Sequence, residues 1–154
     1  MLAIRRRSSY SPFTLVLVAS GNTFPELNLG GCPELRVIEV RIETSSCAFN
    51  TLVSWLTNVL GTVTSLVFSK FILSLDDAML NLHAPQVTRP TTCALDWWVA
   101  RLFNQSRMLL IIKGSLSRDW LNVLRYCFPL STGAGAIRFE FPDPVTIRPC
   151  EQGR

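Results

Sequence analysis

Apolar positions along the chain switch between two periods, and each switch marks a new element. In LRVIEVRI, residues 35–42, Ile38, Val40 and Ile42 alternate with Glu39 and Arg41. That period of two predicts a strand with one buried face. From Phe49 the pattern turns helical. Phe49, Leu52, Val53, Leu56 and Leu60 recur at i, i+3, i+4, i+7 and i+11, which predicts a single buried helix face. Gly61 follows where a left-handed C-terminal residue is wanted. The β-branched and aromatic segment TSLVFSKFIL, 64–73, predicts a second strand.

Residues 74–92 interrupt this rhythm. They hold Asp76, Asp77, His83, Pro85 and Pro90, and prolines five residues apart oppose a long element after Asn81. A loop is expected, with a short helical turn at DDAMLNL. Helical spacing resumes in TTCALDWWVARLFNQ through Leu95, Trp98, Val99, Leu102 and Phe103, with Thr91 or Thr92 placed to cap. A third strand, RMLLIIKG, follows directly. Ser117 then caps a helix whose buried stripe is Trp120, Val123, Leu124, Cys127 and Phe128, and Pro129 is expected to stop it. Asp119 sits in the first turn, where negative charge suits the helix dipole. AIRFEF, with Ile137, Phe139 and Phe141 on one face, closes the series as a strand.

Centred on Val40, Val67, Leu110 and Arg138, the strands are 27, 43 and 28 residues apart. One strand and one helix per unit predicts parallel neighbours joined by right-handed crossovers. The shorter spacings fall within or near the ~20–29 residues of leucine-rich repeats. The expected fold is therefore α/β, a leucine-rich-repeat-like right-handed solenoid fragment with a parallel sheet and helices on its outer face. It would fill a single domain over 13–142, with 74–92 as a loop insertion, a basic disordered arm over 1–12 and a tail over 143–154. A single open α/β sheet is the alternative architecture.

Composition agrees with one domain: 154 residues, 48% hydrophobic and 17% charged, against roughly 25% charged in average soluble chains. The shortage of charge fits a sheet buried on both faces, or a piece of a larger protein. No apolar run approaches the ~18 residues of a membrane-spanning helix. The net charge of +4 comes largely from Arg5, Arg6 and Arg7. With no basic stripe in the body, neither nucleic acid nor membrane is expected as a partner. The triplet ahead of FTLVLVAS looks in outline like a leader, but Ser8, Ser9, Ser11 and Pro12 intervene. A cytoplasmic or nuclear location is expected instead.

Candidate chemistry is sparse. Cys32, Cys47, Cys93, Cys127 and Cys150 lack any short metal-binding or redox spacing. The sequence Gly133-Ala134-Gly135-Ala136 follows a helix and precedes a strand, the reverse of the order in a phosphate loop. It reads as a plain turn. His83 is the sole histidine, and with Asp76 and Asp77 it forms the best catalytic candidate. Of the four tryptophans, Trp98 and Trp120 fall on buried stripes, whereas Trp55 and Trp97 lie off them and are either packing residues or partner anchors.

The segments NLGGCPELRVIEVRI, LVSWLTNVLGTVTSLVFSKFILSLDD and RYCFPLSTGAGAIRFEF resemble the C-terminal repeat region of fungal F-box and leucine-rich-repeat-like proteins. The resemblance covers residues 28–141 and rests on framework positions. No F-box helix bundle is visible in residues 1–30. It implies a non-enzymatic substrate-recognition region of a ubiquitin-ligase adaptor, truncated or free-standing, with a protein partner and without cofactor, metal or small-molecule substrate. Strand residues pointing away from the helices, Glu39, Arg41, Lys70 and Lys113, are the expected partner-binding positions. The rival expectation is a small α/β enzyme or nucleotide binder with a site near Asp76, Asp77 and His83.

Overall fold

The Ile38 and Val40 face of LRVIEVRI lies at zero exposure, inside a six-stranded sheet. The computed structural model describes residues 2–7, 14–19, 24, 26–31, 35–42, 48–64 and 68–140. Its strands are β1 (Leu2–Arg7), β2 (Thr14–Ala19), β3 (Val37–Ile42), β4 (Lys70–Ser74), β5 (Leu109–Lys113) and β6 (Ile137–Glu140). They lie side by side in sequence order, β1 antiparallel to β2 and every later pair parallel. The protein is thus α/β, with five parallel strands and one antiparallel edge strand. The tail expected over 143–154, residues 8–12 of the expected arm, and Cys32, Cys47 and Cys150 lie outside the described residues.

Two N-terminal expectations change. Leu2–Arg7 is a paired strand rather than a disordered arm, because each of its residues faces one in Thr14–Ala19. The leader-like run is β2 itself. Its Leu15, Val16, Leu17 and Val18 are all buried, and a strand buried on both faces reads as a continuous apolar run without alternation.

Helices fill the connections from β3 onward. α1 (Phe49–Leu60) buries all five residues of the predicted stripe together with Trp55 and Val59. Gly61 departs from expectation: it is right-handed at φ −64°, and the indole of Trp98 packs across it. The 74–92 segment is shorter on loop than expected. It holds α2 (Asp77–Leu82), where the helical turn was expected, and a 3₁₀ turn at Ala84–Gln86. The next helix, α3 (Arg89–Ser106), begins earlier than the Thr91 or Thr92 caps implied. Thr88 is the cap and Pro90 sits in the first turn, where a missing N–H costs nothing. α4 (Arg118–Cys127) is capped by Ser117 as expected.

Pro129 does not end the helical region. It opens α5 (Pro129–Ala134), and Gly135 closes that helix at φ +77°. The glycine-rich stretch is therefore half helix and half left-handed cap. The residue before α5, Phe128, supplies no side-chain cap. Its place is taken by Asp96 of α3, which is 2% exposed. Asp96 accepts the Leu130 N–H at 3.0 Å and the Ser131 N–H at 2.8 Å. One turn earlier, the buried Thr92 hydroxyl donates to the Cys127 carbonyl. Two buried polar side chains of α3 thus hold the α4–α5 elbow by its backbone.

One core cluster unites the helices with alternate strand residues Leu15, Leu17, Ile38, Val40, Phe71, Leu73, Leu110 and Ile112. Each fully buried Leu, Ile or Phe contributes about 1.5–3 kcal/mol. The intervening strand residues are absent from that cluster. The helices therefore pack on one face of the sheet.

Candidate functional site

The other sheet face carries the residues singled out for partner binding. In a parallel sheet, paired residues share a face, so the register sorts them into rows. Val16, Glu39, Ile72, Ile111 and Arg138 form one row across five strands. Thr14, Val37, Lys70 and Leu109 form a second row, and Ser74, Lys113 and Glu140 a third. Glu39, Arg41, Lys70 and Lys113 thus lie on one surface. Their states differ. Arg41 donates to Glu39 at 2.7 Å within β3, so this pair meets its own charge. Lys70 and Lys113 are exposed and join no ion pair among the described residues. They are the only two lysines in the sequence, and the register sets them four residues apart along the strand direction. Between the rows of charge, Val16 and Ile111 are 3% exposed, giving the face an apolar centre and a charged margin.

The acidic candidates are engaged elsewhere. Asp76 caps α2 by accepting the Met79 N–H at 2.8 Å. Asp77 accepts the N–H of Ser117 at 3.0 Å. His83 is the C-terminal cap position of α2, six residues on from Asp77. These contacts join others that tie the β4–α2 turn to the β5–α4 turn. The Leu75 N–H donates to the Lys113 carbonyl at 2.9 Å, and Trp120 Nε1 donates to Asn81 Oδ1 at 2.8 Å. Gly114, at φ +147°, lies so close to the Leu75 carbonyl that a methyl group there would collide with it. Asp77 and the turns around it hold these two connections together, while Asp76 holds the start of α2.

The sheet order itself bears on the nucleotide reading. Open α/β sheets bind nucleotides in the crevice where neighbouring connections leave to opposite faces. Among the described residues, strands in sequence order with the core helices on one face form no such crevice. Among the described residues no group of three or more potential metal ligands is assembled, and no helix is long and apolar enough to cross a membrane.

Trp55 and Trp97, the two tryptophans off the predicted stripes, separate. Trp55 is buried and stacks on Phe24 with ring centroids 4.9 Å apart, so it is a packing residue. Trp97 is 45% exposed. Burial pushes the Cys127 thiol above its ordinary value, while the Arg89 charge acts weakly in the opposite sense. Cys93 is exposed.

No family model, curated protein or solved structure matches the chain.

Proposed function

We propose that the chain is a non-enzymatic protein-interaction module, a leucine-rich-repeat-like solenoid piece that recognises a protein partner for an F-box-type ubiquitin-ligase adaptor. One observation carries the interaction reading: parallel strands in sequence order with the core helices on a single side. Stacked strand-plus-helix units produce that arrangement. Successive parallel strands begin 23, 33, 39 and 28 residues apart, irregular but of repeat size. The adaptor part of the reading rests on the resemblance of the framework segments, and a cytoplasmic or nuclear setting goes with it.

The sheet face is the binding surface in this reading. Val16 and Ile111 at its centre are already buried, so the exposed Lys70, Lys113 and Arg138 carry the recognition, selecting a partner of complementary charge. Quantitative affinity capture tests it, comparing the wild-type chain with a Lys70→Glu/Lys113→Glu variant. The reading expects a set of proteins retained by the wild type and lost from the variant. Identical sets, or no retained protein, contradict it.

A further inference from the structure

Four large hydrophobic side chains stand exposed among the described residues, and three of them, Trp97 (45%), Tyr126 (65%) and Leu130 (53%), border the same groove. The groove has a volume of about 800 Å³ and runs between the N-terminal half of α3 and the α4–α5 elbow. Its α3 wall is a single ridge. Arg89, Cys93 and Trp97 line the groove at i+4 spacing, about 12 Å along the axis, and Arg101, one turn beyond and outside the lining, lies over the Trp97 ring.

Both arginines lie over aromatic rings. The Arg89 guanidinium lies 5.1 Å over the Tyr126 ring, and that of Arg101 lies 5.0 Å over the Trp97 ring. A guanidinium packed over a ring keeps N–H groups with which to meet a carboxylate. Neither arginine joins an ion pair among the described residues. The one carboxylate in the lining, Asp96, is buried and occupied by the Leu130 and Ser131 N–H groups. The groove therefore has a mostly apolar lining, Arg89 at one end, Arg101 just beyond Trp97 at the other, and no free anionic group.

We propose that this groove docks an amphipathic helix of a protein partner. Its apolar face rests on Trp97, Val123, Tyr126 and Leu130, and an acidic residue near each end meets Arg89 and Arg101. Three features select this occupant. The lining stretch of α3 from Arg89 to Trp97 matches about two turns of helix, and Arg101 extends it by one more. Trp, Tyr and Arg are the side chains that dominate binding energy at protein interfaces. The open rim, with its half-exposed aromatic residues, suits a helix laid into a groove better than an enclosed small molecule. The surface lies on the helical side of the sheet, so it stands whatever binds the opposite face.

A display library of amphipathic helical peptides, with flanking positions randomised between acidic and basic residues, tests the proposal. Enriched peptides are then measured by fluorescence anisotropy against the wild type, Arg89→Glu, Arg101→Glu and Trp97→Ala. All three positions are exposed, and thermal melting checks that each variant remains folded. The proposal expects acidic residues at both flanks of the enriched peptides and a loss of about tenfold or more in affinity for each variant. Equal enrichment of basic flanks, no enrichment at all, or affinity unmoved by the variants overturns it. So does sedimentation showing a dimer that Trp97→Ala dissociates, which assigns the groove to a second copy. Binding of decanoate with no peptide bound also overturns it, assigning the groove to a small apolar carboxylate.

Discussion

Asp96 and Ser131 hold each other twice. The Ser131 N–H donates to Asp96 Oδ1 at 2.8 Å, and the Ser131 hydroxyl donates to the Asp96 carbonyl at 3.1 Å. Both residues are buried, and they stand 35 positions apart in sequence. The exchange supplies α5 with the cap its own sequence lacks, and it fixes one wall of the groove against the other.

Asp96→Ala removes that cap and leaves the buried Ser131 N–H without its charged acceptor. A loss of about 3 kcal/mol is expected, read as a lower urea midpoint. Asp96→Asn retains an acceptor oxygen and is expected to cost less than half as much. Equal stability of Asp96→Ala and the wild type would remove Asp96 from this role.

Two glycines should respond with opposite signs. Gly114→Ala meets the Leu75 carbonyl and forces a side chain onto φ +147°. It is expected to cost about 3 kcal/mol or more, or to prevent folding. Gly133 lies within α5 with nothing near a methyl group placed there. Gly133→Ala is expected to stabilise by about 0.5–1 kcal/mol. Thermal melts of both variants check the pair.

The glycine contrast shows where sequence reading stops. Gly133 and Gly135 look alike in GAGA, yet one is helical and the other left-handed, because Asp96, far away in sequence, lets a helix start at Pro129. Ile38, Val40, Glu39 and Arg41 were legible because one buried face imposes alternation. β2 was not, since burial of Leu15 to Val18 erases that alternation. Pro90 passed for a breaker because its tolerance depends on falling in the first turn after Thr88. Lys70 and Lys113 were legible as outward-facing residues. The groove was half legible: Trp97 stands off the stripe of α3, but its partnership with Tyr126 and Leu130 exists only once the elbow folds back.

Cysteine chemistry gives a prediction in pH. The raised Cys127 thiol means that the folded chain holds this proton more tightly than the unfolded chain, whose ordinary value is 9.0. The resulting stabilisation is complete below that value and is lost as pH rises through the raised one. Unfolding free energy should therefore fall on the alkaline side more steeply for the wild type than for Cys127→Ala. Maleimide labelling mapped by mass spectrometry should modify exposed Cys93 well before buried Cys127. Matching alkaline slopes, or Cys127 labelled first, would contradict this.

Lysine footprinting tests the central claim, that the sheet face binds a protein, most directly. Lys70 and Lys113 are the only lysines and lie on that face, so acylation of side-chain amines reports on it alone. The tagged chain would be acylated once after purification and once in a lysate of cells that express it, with modification of each lysine quantified by mass spectrometry. A bound partner predicts slower acylation of both lysines in the lysate, restored to the purified rate by high salt. Equal rates in the two settings would contradict the interaction module.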